Sequence, residues 1–530
     1  MRREQYRLAL IFLLAIAMTA GQVRAGEAPM EGPTLNALLS KASQEQAAGN
    51  AAGSEDFLRQ AATVVASKED SGRWAASTWE FVRACTSLDE SLAAFGRLSL
   101  LATTVDMTRN LADSFIGGAR QWILAGALDK GTKLLAAIKN FTTQAGLSEE
   151  FGPPIGILEQ LALAQACAQA NQSDASISAL AAAVRLAAGN PVWENTVYEA
   201  SISLAFARAG AKDKAGADAV VAFVTRDPML VDPWRVRIDV AYLQRQRQEF
   251  GAAEAQLVQA AALLKSDGHA ACWAESVAAL FGAMKLEDAP AAFSRLAALA
   301  TTSGVRQCLA RSFLNLARRQ LMETQYAGGQ SALNAGKSIA SEFTELAQTA
   351  RFLDQLALAQ KLAKDADGAG AVQALLGAQG LAKSQADWMN DLYNIAHSLA
   401  YQRMRDRDNK SSAQFAHFLT QGCGTGIEPW TFHTSLARLN IALGDLGAAE
   451  ANVAGAAPLI KTDDNAGTWS GLVWQLVSAS KELDDGIASL RRLASLGTDA
   501  GTKSKLAETV NAGTRYWLLS GDFLKGIRIV

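Results

Sequence analysis

The side chains of this 530-residue chain that are equipped for chemistry form a few small sets. Three acidic pairs come first: Asp89-Glu90, Glu287-Asp288 and Asp484-Asp485. Paired carboxylates serve general acid–base catalysis. These pairs recur at one point of an internal repeat, where a helical pattern begins. Negative charge there satisfies free N–H groups and complements the helix dipole, so capping is the expected role. The histidines are His269, His397, His417 and His433, with no HxxxH or HExxH spacing. His397, His417 and His433 fall on successive predicted helices and are the only set with a route to a metal site. Five cysteines, Cys85, Cys167, Cys272, Cys308 and Cys423, include no CxxC and none recurs at the repeat offset, so no disulfide framework is expected. Cys272 and Cys308 are the two that an oxidising compartment would offer for pairing. No GxSxG, Walker A or strand-linked GxGxxG motif is present. The expectation is no enzyme, no metal and no cofactor.

Tryptophan and arginine carry more information. Among 11 tryptophans, Trp74, Trp273 and Trp469 recur, as do Trp193 with Trp388 and Trp234 with Trp430. Indole faces bind sugar rings, but recurrence at a fixed place is what packing between repeats produces, and a core role is expected. Arg120, Arg318 and Arg515 share one register, 198 and 197 residues apart; Arg208 and Arg403 share another. Packing alone does not ask for a repeated arginine. A guanidinium reads carboxylates in bidentate fashion, so these five are the candidate partner-binding residues.

The elements that position these side chains follow from the repeat. Val231–Trp273 aligns without a gap on Ile427–Trp469, with 16 identities in 43 positions. Leu158–Gln165 returns as Leu353–Gln360, and Leu88–Phe95 has partners at Leu286–Phe293 and Leu483–Leu490. The unit is about 196 residues long, with copies at about 70–190, 191–387 and 388–530. Each copy subdivides. Small residues at Ser91, Gly131, Ser176, Ala215, Ala253, Ala289, Gly329, Ala371, near Ser412, Ala449, Gly486 and Gly526 mark sub-units of about 36–45 residues. Each sub-unit reads as two helices: Phe432, Leu436, Leu439 and Leu443 have helical spacing, Gly444-Asp445 breaks the run, and a second helix begins at Ala448. No period-two β-branched runs occur, so no strands are predicted.

Leu436, Ala437, Gly444-Asp445, Ala449, Val453 and Ala456 resemble the tetratricopeptide pattern, as do Trp273, Leu280, Ala289 and Phe293. The resemblance is degenerate and covers about Pro33 to Val530. It implies an all-α, right-handed α-hairpin solenoid of about 12–13 hairpins, 24 to 26 helices, running through residues 34–530. It also implies that the first helix of each hairpin lines a concave face, and Arg120, Arg318, Arg515, Arg208 and Arg403 fall on such helices.

Composition agrees: 49% hydrophobic residues exclude disorder, and a net charge of −2 gives no signal for nucleic acid. Met1–Ala25 has the form of a secretory signal. Arg2, Arg3 and Arg7 precede an apolar run, Leu8–Ala20, too short to span a bilayer, and Val23-Arg24-Ala25 suits cleavage after Ala25. Residues 26–33 read as a linker. The sequence therefore predicts a secreted, periplasmic, non-catalytic scaffold that binds another protein or peptide, with an acidic group as the natural complement of its arginines. The alternatives are an α/α-toroid enzyme acting on polysaccharide and a structural scaffold of a glycan-handling envelope complex.

Overall fold

The computed structural model describes residues 34–226, 231–383, 385–422, 427–497 and 499–529. The expected signal segment Met1–Ala25, the linker at 26–33 and Cys423 lie outside them. Among the described residues there are 26 α-helices, one short 3-10 turn at Ala457–Leu459 and no strand. The chain divides into two compact units, Met1–Val231 and Asp232–Val530.

The first unit contains five hairpins: α1 (Leu35–Ala47) with α2 (Ala51–Thr63), α3 (Lys68–Ala84) with α4 (Leu88–Ser99), α5 (Val105–Leu124) with α6 (Leu128–Gln144), α7 (Ser148–Gln169) with α8 (Ser173–Ala187), and α9 (Pro191–Gly210) with α10 (Lys214–Arg226). The second contains eight: α11 (Pro233–Gln246) with α12 (Phe250–Ala261), α13 (Asp267–Ala283) with α14 (Ala289–Ala297), α15 (Ser303–Met322) with α16 (Tyr326–Ala340), α17 (Thr344–Lys364) with α18 (Gly368–Ala382), α19 (Ala386–Arg405) with α20 (Asn409–Gly422), α21 (Pro429–Leu443) with α22 (Leu446–Ala456), α23 (Asp463–Ala479) with α24 (Leu483–Ala494), and α25 (Ala500–Ser520) with α26 (Phe523–Ile529).

Caps and turns set these boundaries. Ser67 Oγ accepts the N–H of Asp70 at 3.1 Å, Ser266 Oγ that of His269 at 3.2 Å and Thr462 Oγ1 that of Asn465 at 3.2 Å, so α3, α13 and α23 start alike. Most first helices end on a residue with positive φ: Gly126, Asn171, Lys212, Gln248, Thr324, Ala366, Arg407, Gly444 and Gly521. The next N–H then reaches back five residues, as from Gln325 to the Gln320 carbonyl at 2.8 Å, which closes the helix end. Three hairpins depart from this turn. Cys85, Met284 and Ser480, after α3, α13 and α23, are extended, with ψ of 144°, 163° and 130°.

Small residues let the two helices of a hairpin approach. Ser176 Oγ donates to the Ala164 carbonyl at 2.8 Å, and Ser412 Oγ to the Ala400 carbonyl at 2.7 Å. A methyl group at Gly329 would lie 2.8 Å from the Leu321 side chain. The expectation for Ala215 is corrected: it is exposed, and the crossing falls on Ala217, the counterpart of Ser412.

Stacking from one hairpin to the next uses repeated bonds. Trp74, Trp273 and Trp469 are fully buried. Each donates its indole N–H to a carbonyl 16 residues earlier, on the second helix of the preceding hairpin: Leu58 at 2.9 Å, Leu257 at 2.8 Å and Val453 at 2.9 Å. These tryptophans are core residues. A second repeated link joins second helices in bidentate ion pairs: Arg97 Nε to Glu55 at 2.8 Å, Arg295 Nη2 to Glu254 at 2.8 Å and Arg492 Nε to Glu450 at 2.6 Å.

Trp79 and Trp474, which stand where the tetratricopeptide pattern has a small residue, have a steric explanation. Methyl groups at Gly118 and Gly513 would lie 2.2 Å and 2.0 Å from their rings. The middle copy has the opposite arrangement, Ala278 on α13 and Leu316 on α15. Large and small have changed sides of the same helix–helix interface, which conserves volume.

Candidate functional site

The five arginines have different surroundings. Arg208 is only 4% exposed; its Nη1 lies 2.9 Å from Asp213 Oδ2 and donates to Ser173 Oγ at 2.7 Å. Arg403 does the same job in the second unit, with Nη2 2.8 Å from Asp408 Oδ2. Asp213 and Asp408 themselves cap the next helix, accepting the N–H of Gly216 at 2.9 Å and of Ser411 at 3.1 Å. Arg208 and Arg403 therefore tie the hairpin turn to its own cap. Arg120 on α5 lies 3.5 Å from Glu199 on α9, and Arg318 on α15 pairs with Asp391 on α19. Both ion pairs pass over an intervening hairpin, because α5 touches α9 and α15 touches α19 within their units. Arg515 is exposed and has no ion pair among the described residues.

All three acidic pairs sit at helix starts, but the expected capping bonds are made by the first alone; the starts of α14 and α24, at Glu287-Asp288 and Asp484-Asp485, have no side-chain cap bond among the described residues. Glu90 accepts the Thr86 N–H at 3.1 Å while Ser87 Oγ accepts the Glu90 N–H at 3.1 Å. The histidines do not converge, and no cluster of metal-ligating side chains occurs among the described residues. His269 stacks on Trp234, with ring centroids 4.2 Å apart, and His433 Nδ1 lies 3.3 Å from Asn452 Oδ1. Burial pushes the His397 imidazole below its usual range. Cys272 and Cys308 are both free thiols.

In the second unit a cavity of about 540 Å³ is lined in part by the last turn of α15, just after Arg318. The C-terminal ends of four successive first helices bound it. α13 contributes Gly282, α15 Gln320, α17 Gln360 and Lys364, and α19 Leu399 and Gln402. Met284 and Leu286, from the extended turn after α13, supply an apolar wall, and Gln325 to Gly328 bring in the start of α16. The Arg318–Asp391 pair links α15 and α19, two of the helices that bound the cavity. Burial pushes the Asp391 carboxyl above its ordinary range, with the Arg318 guanidinium pulling the other way.

Two glutamines in this cavity are under-bonded. Gln320 and Gln360 are 9% and 7% exposed, and neither Oε1 has a hydrogen-bond partner among the described residues. The orientation of Gln360 is fixed chemically. Its Nε2 donates to the Leu321 carbonyl at 2.7 Å, so the acceptor is the end left over. A buried acceptor without a donor is costly and calls for a reason.

Comparison of the three copies shows how the cavity arises. At the places of Gln320 and Gly328, the first copy has Trp122 and Lys130 and the third has Trp517 and Lys525. In each, the ammonium lies over the indole, at 6.0 Å and 5.9 Å from the ring centroid. Trp122 further packs edge-on against Trp79 at 5.2 Å, and Trp517 lies 4.7 Å from Trp474. The middle copy replaces this plug with an amide and a hydrogen atom. Gln165, the counterpart of Gln360, also has an unbonded Oε1.

A second cavity, of about 380 Å³, opens in the first unit among α1, α3 and α5, with Gln46, Trp79, Glu80 and Asp113 on its walls. Glu80 is paired with Arg83, and burial pushes the Asp113 carboxyl up.

Gln320, Gln360 and Lys364 are not among the residues that sequence reasoning selects. Gln360 lies in the recurring Leu353–Gln360 segment, and Gln320 and Gly328 show only as departures from the repeat.

No protein-family model matches the chain. No curated protein matches it. Among solved structures, the crystal structure of the TPR domain of P58(IPK) is similar at 9% identity and a TM-score of 0.19, over 78% of this chain and 98% of that one. The chain's own hairpins, with their small crossing residues and first-helix tryptophans, are tetratricopeptide-like.

Proposed function

We propose that this protein is a non-catalytic, secreted and periplasmic scaffold that binds peptide segments of other proteins in the cavity at the ends of α13, α15, α17 and α19. The observation that carries this reading is the pair of unbonded amide oxygens on Gln320 and Gln360. Extended peptide offers backbone N–H donors at short intervals, and apolar side chains for the Met284, Leu286 and Leu399 wall. The terminal torsion of a glutamine is broad, so a small rotation presents each oxygen to a ligand. Arg515, exposed and without an ion pair among the described residues, is the candidate guanidinium for an acidic partner group.

An array of overlapping 15-residue peptides, run beside an array of bacterial glycans, tests this reading. The full chain should retain a set of peptides that the Gln320→Leu/Gln360→Leu variant holds at least about tenfold more weakly, a difference of about 1.4 kcal/mol. Retention of glycans alone, or of peptides regardless of the two glutamines, would refute it. Glycan retention lost on Trp79→Ala would instead support the polysaccharide alternative through the cavity of the first unit.

A further inference from the structure

We propose that the cavity of the first unit is a separate binding site, for a primary ammonium group carried on an alkyl chain. It does not depend on the peptide cavity of the second unit. Asp113 on α5 stands on its wall with no hydrogen bond or ion pair among the described residues. The sister copies treat this position differently. The third has Glu508, paired with Lys505 at 2.9 Å, and the middle has Arg311. At the place of Lys505 the first copy has Asn110, whose Nδ2 donates to the Lys68 carbonyl at 3.2 Å and to Ser71 Oγ at 2.9 Å. Of the three copies, the first alone has an acid here without a paired cation. Lys68, the cation whose field reaches Asp113, is not on the cavity wall.

A lone carboxylate would carry nothing. The independent observation is Ser54 on α2, which is fully buried, lines the same cavity and has no partner for its Oγ among the described residues. The sister copies have alanine at this place, Ala253 and Ala449, so the helix crossing does not need the hydroxyl. Gln46 adds a third acceptor. Its Nε2 donates to the Glu80 carbonyl at 3.1 Å, which leaves Oε1 as the free end. An ammonium has three N–H donors and a full charge, and these groups offer it a carboxylate and two neutral oxygens. Leu39 and Leu58 give the alkyl stem an apolar wall. Other ligand classes match less of the site. No lysine or arginine is among the described residues that line the cavity, and Glu80 adds a second carboxylate, so an anion is disfavoured. A sugar ring would stack on an open indole face. The Trp79 ring instead packs edge-on against Phe115 at 5.4 Å and Trp122 at 5.2 Å, and lies over Gly118.

Calorimetric titration of the full chain with pentylamine and with pentanol tests the proposal. The amine should bind at least about tenfold more tightly than the alcohol. Asp113→Asn should remove that difference and leave the alcohol unchanged. Ser54→Ala should weaken amine binding and leave the thermal midpoint of the free protein no lower, since the hydroxyl has no bond to lose. Two further probes separate the sources of the group: Nα-acetyl-lysine methylamide stands for a protein side chain, and cadaverine for a free diamine. Whichever binds more tightly identifies the source, and either supports the site. Pentanol as good as pentylamine, an Asp113→Asn variant that keeps the preference, or no binding of any amine would overturn it.

Discussion

Trp273 does two things with one side chain: its ring fills the space between hairpins, and its N–H satisfies the Leu257 carbonyl on the preceding helix. Substitution separates the two. Trp273→Phe keeps most of the ring and should cost about 1–3 kcal/mol, the range for an unmade buried hydrogen bond. Trp273→Ala should cost about 3–5 kcal/mol. Because each hairpin leans mainly on its neighbours, hydrogen exchange should rise chiefly in α12, α13 and α15. Asp408 gives a pH prediction. Hydrogen bonds from the Ser411 hydroxyl and N–H, and from Arg403, hold its carboxyl at about 2, against about 3.9 for an unfolded chain. A carboxyl with a lowered folded pKa contributes stability above its unfolded value and loses it as pH falls through the folded one. Asp408→Asn should therefore be less stable than wild type at neutral pH. The gap should close between about pH 4 and pH 2; chemical denaturation across that window checks it. At this scale the sequence told which residues repeat but not what they touch. Arg97, Arg295 and Arg492 recur at the same 198- and 197-residue spacing as Arg120, Arg318 and Arg515. The first set pairs across adjacent hairpins; in the second, Arg120 and Arg318 pass over one and Arg515 has no ion pair among the described residues, a distinction that depends on contacts between hairpins far apart in sequence.

At the scale of elements, the helix–helix interfaces of α3 with α5 and of α13 with α15 solve one packing problem in opposite ways. Gly118→Ala places a methyl against the Trp79 ring, 2.2 Å away before relaxation. It should destabilise by about 1–3 kcal/mol. Trp79→Ala alone opens a cavity and should cost about 3–5 kcal/mol. Combining Trp79→Ala with Gly118→Leu copies the middle repeat and should recover much of that loss. Additive losses in the thermal midpoints of the three variants would contradict the volume exchange. The turns offer a simpler test. Ala366 holds φ of 63°, a conformation that costs an L-residue about 1–2 kcal/mol and glycine little. Ala366→Gly should raise the stability of the second unit by about 0.5–1 kcal/mol, after the flexibility that glycine adds to the unfolded chain. Helices, hairpins and most crossing residues were legible, because small residues, caps and apolar spacing act over a few turns. Ala215 was misplaced since the neighbouring Gly216 and Ala217 are equally small, and only contact with α9 selects the register.

For the whole molecule, the sequence shows similar segments recurring from about residue 70 onward, yet it did not show the cavity. It exists because the middle copy lacks the tryptophan and lysine that its sister copies carry, and an absence gives no motif to recognise. The signal segment is a separate expectation: mass spectrometry of the exported protein should find Gly26 at its N-terminus, and an intact Met1 would contradict export by cleavage. The most direct test of the binding account fills the cavity with the molecule's own plug. Gln320→Trp with Gly328→Lys gives the middle copy the pair found at Trp122/Lys130 and Trp517/Lys525. Peptide affinity and thermal midpoint should be measured on the same preparation. The account predicts an unchanged or higher midpoint and a loss of peptide binding of at least about tenfold. A well-folded variant that binds peptide as tightly as wild type would contradict it.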